Sequence, residues 1–299
     1  MGKGKKSRIS PPGTAYNPRS QGKAREEGSP MKARIALYCV LGGLPLLFGA
    51  LGMGGFQWWW LSGIVLAAAF VPVALFGPRE VLGHFGTIGF ALLMITVLCT
   101  WSEALIFMPV ADLQQHPFRA LLGSAGLYLL VAALLTTLAR SLKLIRESTA
   151  SVQHRGPAVA ALMVLLSGLA YAFYYLVFGA ITYQFFTKGY YPEATKIVEK
   201  LGLWFWAIQI GRGVMMTLAV VPIIYTLRMR RWQTAIAVGT VIWVAGGLAP
   251  LLPPNPYMGA TQRFIHIVEI FTQNFSLGVT AALLLRRKES QASPAPFRA

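Results

Sequence analysis

The chain has 299 residues, of which 55% are hydrophobic and only 12% are charged. Soluble domains carry about 25% charged residues, so this composition excludes an ordinary soluble enzyme or binding module. The net charge of +17 is compatible with nucleic-acid binding. However, the cations lie in an N-terminal tail and in alternating short loops, which is typical of membrane topology. We therefore predict an all-α, polytopic integral membrane protein and do not expect a nucleic-acid partner.

Three regions follow one another along the chain. Residues 1–31 are basic and rich in glycine, serine and proline, so they are predicted to form a disordered cytoplasmic tail. Residues 32–287 contain eight apolar runs long enough to cross a bilayer as helices, and residues 288–299 form a short polar tail. The predicted spans are 33–54, 57–77, 85–110, 119–141, 157–183, 201–226, 233–252 and 263–286.

The distribution of cations predicts the orientation of the bundle. With eight spans, 21 of the 27 lysines and arginines fall on the side that holds both termini. Cationic loops stay in the cytoplasm, so both termini are expected there, and the expected location is a bacterial cytoplasmic membrane. On the opposite side, the spacing of apolar and charged residues in 192–200 predicts a short helix along the membrane interface.

Four ionisable residues fall inside the predicted spans. Arg212 lies near the middle of the sixth span, Glu103 lies in the third, and His266 and Glu269 lie in the eighth. An unpaired charge at this depth costs at least about 3 kcal/mol on insertion scales. Each of these groups is therefore expected to have a charged partner or to line a water-filled cavity.

The eighth span also carries a polar stripe. At about 100° per residue, its polar side chains fall on one face and predict contact with protein or water rather than lipid. Three other spans offer polar faces, which include Glu103 in the third, Tyr171 and Tyr174 in the fifth, and Gln209 in the sixth. The residues of the stripe are Gln262, His266, Glu269, Gln273, Ser276 and Thr280.

Two interpretations of these groups remain open. In the first, Arg212 pairs with Glu103 or Glu269 as a structural bridge, and the stripe makes ordinary interhelical hydrogen bonds. In the second, two acids near one arginine leave one acid free to exchange a proton together with His266. Arg212 would then neutralise the other acid or, with Gln209, Tyr171 and Tyr174, bind an anionic ligand.

Metal and nucleophile chemistry are less well supported. His266 and Glu269 are three residues apart and could join Glu103 as ligands, but the motif occurs once and Arg212 would repel a cation, so no metal site is expected. No motif of a nucleophilic or nucleotide-dependent enzyme is present. Catalytic residues and cofactors therefore stay unassigned. His84, His116 and His154 are expected to lie in solvated loops.

The leading prediction is a transporter or binder of a small anionic or lipid-like ligand, with its site in the outer half of the bundle. The site residues are expected to be Glu103, Arg212, His266 and Glu269, together with Gln209, Gln273, Tyr171 and Tyr174. One alternative is an intramembrane enzyme that acts on a lipid. Another is a non-catalytic subunit whose polar stripe binds the helix of a membrane protein partner.

Overall fold

A computed structural model describes residues 19–107, 117–147, 152, 155–189, 194–255 and 258–287. The described part of the chain is helical and contains no β-strand, and eight of its helices are long and apolar enough to cross a membrane. The prediction of an all-α polytopic bundle is therefore confirmed. The spans are Pro30–Gly49, Phe56–Phe76, Val81–Glu103, Phe118–Ser141, Pro157–Thr187, Leu203–Thr226, Arg231–Leu251 and Ala260–Leu285.

The boundaries of the spans differ from the predicted ones mainly in the first and fifth. The first helix begins at Arg19, inside the predicted tail, and its span tightens into a 3-10 segment at Leu44–Gly49 that contains a proline. The fifth span continues to Thr187, and a short helix follows at Ala194–Leu201, in the segment predicted to lie along the interface. Residues 1–18 and 288–299 lie outside the described ranges, so the division into tails and transmembrane domain stays a prediction.

One end of the bundle gathers the loops that carry most of the cations. The backbone amides of Arg146 and Arg228 donate to the carbonyls of Leu75 and Phe76, which end the second span. Across the same end, Arg155 and Arg231 donate to the last carbonyls of the eighth span, where cations favour the helix dipole. These bonds hold the C-terminal ends of the second, fourth, sixth and eighth spans at the same end of the bundle. This is the arrangement expected when each span crosses the membrane in the direction opposite to the span before it.

The fifth and sixth spans approach closely at two glycines. A methyl group added to Gly213 would lie 2.6 Å from Tyr171 Cβ and 3.0 Å from Gly168 Cα. Small residues allow such close approach between membrane helices. Gly211, on the other side of Arg212, faces open space with no atom within 4 Å. Of the two glycines that flank Arg212, only Gly213 packs closely against a neighbouring span.

The spans are not continuous α-helices, which is a difference from the prediction. Five π-helical segments occur in the described residues, and four of them form a chain of contacts through the bundle, from the third span through the seventh and eighth to the fifth. Because a π turn holds more residues than an α turn, each segment changes which side chains face the neighbouring spans. The segments are Leu93–Cys99, Tyr175–Gly179, Tyr183–Thr187, Val244–Leu248 and Phe271–Phe275.

His84 is not in a solvated loop, so that expectation was wrong. It lies in the helix Val81–Leu92, where its side chain is fully buried. Its Nδ1 atom lies 3.1 Å from the carbonyl oxygen of Pro78, which explains how a polar ring is accommodated there. His116 and His154 lie outside the described residues.

Candidate functional site

Arg212 forms a short ion pair with Glu103 inside the bundle. Arg212 Nη2 lies 2.6 Å from Glu103 Oε2, and Arg212 Nη1 donates to Gln209 Oε1 at 3.1 Å, one helical turn away. The arginine side chain is 7% exposed and the glutamate 24%. Of the two acids predicted as partners, the structure therefore brings Glu103, and not Glu269, to the arginine.

The remaining surroundings of Arg212 come from the third and fifth spans. The Cys99 thiol lies within hydrogen-bonding reach of the guanidinium, and the Tyr171 ring centroid lies 6.0 Å from Arg212 Cζ, at the limit of a cation–π contact. Two buried donors of this group, Arg212 Nε and Gln209 Nε2, have no hydrogen-bond partner among the described residues. Buried donors usually have a partner, so these two are exceptions within the bundle.

The second pair lies on the eighth span. His266 Nδ1 is 3.1 Å from Glu269 Oε2, and Gln273 Nε2 donates to Glu269 Oε1 at 3.3 Å. The side chains of His266 and Glu269 are 21% and 13% exposed. Glu269 therefore has a titratable imidazole and a neutral amide as its partners, whereas Glu103 has a permanent cation.

The fifth span joins the two pairs. The Tyr175 hydroxyl is close enough to Glu103, Arg212 and Glu269 to interact electrostatically with all three. Glu269 Oε1 would lie only 3.6 Å from a methyl group added to Gly179, so the carboxylate rests directly against the backbone of the fifth span. The third, fifth, sixth and eighth spans thus contribute to one charged cluster, which we call the intramembrane cluster: Glu103, Arg212, His266 and Glu269.

Not every predicted site residue joins this cluster. Tyr171, Gln209 and Gln273 do, but the Tyr174 hydroxyl lies 2.8 Å from Thr280 Oγ1, with which it shares a hydrogen bond. Gln262, at the end of the predicted stripe, accepts from the backbone amide of Gly259 and caps its own helix. The residues of the stripe therefore have different roles. Gln262 caps the helix, His266 and Glu269 belong to the cluster, and Thr280 shares a hydrogen bond with the fifth span.

Two residues near the cluster, and one buried amide further along the eighth span, were not among the predicted site residues. Cys99 ends one π segment and Tyr175 begins another, and both interact electrostatically with the charges. Asn274 is buried and lies 3.5 Å from the carbonyl oxygen of Ile242 in the seventh span. The only sequence signal for Asn274 was an amide in an apolar span, because its position depends on the π segment that contains it.

The acids and the histidine of the cluster are not grouped, within the described residues, as a set of metal ligands. Within the described ranges, no group of three or more His, Cys, Asp or Glu side chains is close enough together to hold a metal ion. Glu103 is bound to Arg212 instead of joining His266 and Glu269. The chemistry that these groups offer is hydrogen bonding and proton exchange.

The fold and the cluster define a class: an integral membrane protein with eight candidate transmembrane helices and a buried arginine that is paired with an acid inside the bundle. Comparison with protein-family models, with curated proteins and with solved structures found no match. The function must therefore be argued from the cluster itself.

Proposed function

We propose that the protein is a proton-coupled membrane transporter for a small organic anion. In this proposal, Glu269 and His266 bind the transported proton, and Arg212 and Gln209 contact the anion. The observation that carries the proposal is the unequal pairing of the two acids. Glu103 is neutralised by Arg212 at 2.6 Å, whereas Glu269 is bonded to His266 and Gln273.

The unequal pairing supports proton exchange for an electrostatic reason. Glu103 has a permanent positive charge beside it, because the guanidinium of Arg212 cannot lose its proton in a protein. Glu269 and His266 need one proton between them to stay neutral as a pair. Net charge in the membrane interior is costly. When the pair gains or loses its proton, the free energy of placing another charge beside it therefore changes.

The unused donors of the sixth span support an anionic ligand. Arg212 Nε and Gln209 Nε2 are buried and have no partner within the described part of the chain. A carboxylate or phosphate oxygen accepts from such donors, and charge-assisted hydrogen bonds are the strongest of their kind. When an anion binds beside Arg212, a proton on the neighbouring pair would compensate for its charge.

Partial exposure of the proton-binding pair supports exchange with an aqueous space. His266 and Glu269 are 21% and 13% exposed, although they lie about 9 and 14 Å from the start of their helix at Ala260. Polar groups at such depth face a cavity or protein rather than lipid. Proton transfer requires such a path for water to these two side chains.

The test is an anion-driven proton flux in proteoliposomes loaded with a pH-sensitive dye. Lactate, succinate and glycerol 3-phosphate serve as probes that differ in charge and size. The wild-type protein is expected to move protons when at least one probe is added. The Glu269→Gln variant is expected to lose at least about 90% of this flux, because the amide cannot exchange a proton.

Glu199→Gln is the matched control, because Glu199 is an exposed acid in the short helix outside the spans. It should leave the flux unchanged. Absence of proton movement with all three probes, in protein whose thermal unfolding is cooperative, would contradict the proposal. Equal flux in the wild type and Glu269→Gln would also contradict it.

A further inference from the structure

A second polar site lies at the end of the bundle that gathers the cationic loops. A cleft of about 310 Å³ opens between the turn after the second span and the segment after the fourth. Its charged lining consists of Arg79, Arg140, Lys143, Arg146 and Glu147. Among the described residues, four cations and a single acid thus surround one space, which we call the basic cleft.

The walls of the basic cleft are held in place by one hydrogen bond from the Arg140 side chain and one from the backbone of Arg146. Arg140 donates to the carbonyl of Arg79 at 2.7 Å, which joins the two sides. The backbone amide of Arg146 donates to Leu75 at 2.8 Å, and the side chain of Leu144 is fully buried. The segment that carries the cations is therefore anchored to the second span by the backbone amide of Arg146, in addition to the bond from the Arg140 side chain.

Lys143 occupies a backbone conformation that favours glycine. Its φ angle is +51°, and the amides of Lys143 and Leu144 donate to the carbonyls of Arg140 and Ala139. This pair of bonds ends the helix in a Schellman motif, where the left-handed residue is usually glycine. A lysine here carries a conformational cost that glycine would avoid. The strained position therefore points to a role for the lysine side chain.

We infer that the basic cleft binds the phosphate of an anionic phospholipid. Arg79 lies three residues beyond the end of the second span, and Arg140 lies in the last turn of the fourth. Both are therefore at the level of lipid head groups, where basic pockets between helices bind anionic lipids. This site is independent of the intramembrane cluster, which lies deeper in the bundle.

Glu147 lowers the affinity of the basic cleft for a lipid phosphate, because it competes for Arg79. Its Oε1 atom lies 3.5 Å from Arg79 Nη2, and its side chain is 93% exposed. A lipid phosphate must share Arg79 with this carboxylate. Loss of the carboxylate therefore makes Arg79 fully available, and Glu147→Gln should tighten binding while losses of the cations weaken it.

The experiment is native mass spectrometry of the full chain in detergent, titrated with phosphatidylglycerol or with phosphatidylcholine. The wild type is expected to bind one phosphatidylglycerol at least about tenfold more tightly than phosphatidylcholine. Lys143→Gly and Arg146→Gln should each weaken phosphatidylglycerol binding about fivefold. Lys143→Gly should not lower the unfolding temperature, because glycine adopts the left-handed conformation without strain.

Arg287→Gln is the matched control, since Arg287 is an exposed cation just beyond the eighth span and does not line the cleft. It should leave binding unchanged. Equal binding of the two lipids, or equal weakening by Arg287→Gln, would overturn the inference. If inorganic phosphate displaces phosphatidylglycerol at equal concentration, the inference of a lipid ligand is overturned. This result would show that the cleft binds a soluble anion.

Discussion

At the residue scale, the contact between Arg212 and Glu103 stabilises the bundle. Breaking a buried ion pair by removing one partner costs about 3–5 kcal/mol, because the other charge is left uncompensated. Arg212→Gln and Glu103→Gln should each lower the free energy of unfolding by about this amount, measured by denaturant unfolding in mixed micelles. The double variant should lose less than either single variant, because no unpaired charge remains.

Arg263→Gln is a suitable control for the arginine variant, because Arg263 is half-buried near the start of the eighth span, away from the ion pair. It should change the unfolding free energy by less than about 1 kcal/mol. Additive losses in the double variant would contradict direct pairing of Arg212 with Glu103.

The sequence narrowed the partner of Arg212 to two acids but could not choose between them. Both Glu103 and Glu269 lie in apolar spans at a similar depth, so the cost of burying a charge applies to both. The choice depends on the rotation of the third span. That rotation is altered by the π segment Leu93–Cys99, which an assumed 100° per residue does not include.

At the element scale, two glycines that flank Arg212 have different environments, which gives a prediction with an internal control. Gly213→Ala should destabilise the protein by about 1–3 kcal/mol, because its methyl group would overlap Tyr171 and Gly168. Gly211→Ala should be neutral or stabilising by up to about 1 kcal/mol, because its methyl group would meet no atom within 4 Å. Thermal unfolding of both variants in the same detergent is the measurement.

Equal destabilisation by the two alanines would mean that the fifth span packs against both glycines, contrary to the structure. The sequence alone could not distinguish them. Two glycines on either side of an arginine lie about 200° apart around an α-helix, so only one can face a given neighbour, and hydropathy does not say which.

In the eighth span, a fixed helical periodicity predicts which residues share a face in the first segment but not in the π-helical segment that follows. Within its first helical segment, His266 and Glu269 are correctly placed on one face by their spacing. From Phe271 to Phe275 the span is π-helical, and Asn274 is buried against the seventh span. An amphipathic pattern with one fixed period cannot predict such a change of phase.

At the scale of the whole molecule, the eight spans were predictable because each signal is strong. Continuous apolar runs of about 20 residues have few alternatives to a transmembrane helix, and the predicted and observed spans overlap throughout. The assembly of the helices was not predictable, since it depends on close packing at small residues and on π segments. Both features leave little trace in hydropathy.

The bundle also predicts which surfaces can be labelled from one side of the membrane. In a background with Cys39 and Cys99 replaced by alanine, Glu147→Cys and Arg287→Cys should react with a membrane-impermeant thiol reagent only from the cytoplasmic side. Glu199→Cys should react only from the opposite side, because Glu199 lies in the connection between the fifth and sixth spans. Reaction of Glu199→Cys from the same side as the other two would contradict a single membrane crossing between residues 147 and 199.

The central claim is that Glu269, and not Glu103, exchanges the proton of the intramembrane cluster. Infrared difference spectroscopy between acidic and alkaline pH tests it most directly, since a protonated carboxylic acid has a carbonyl stretch that a carboxylate lacks. The pH-dependent carbonyl signal is predicted to disappear in Glu269→Gln and to persist in Glu103→Gln, because Glu103 forms the ion pair with Arg212. A signal that persists in Glu269→Gln and disappears in Glu103→Gln would contradict the account.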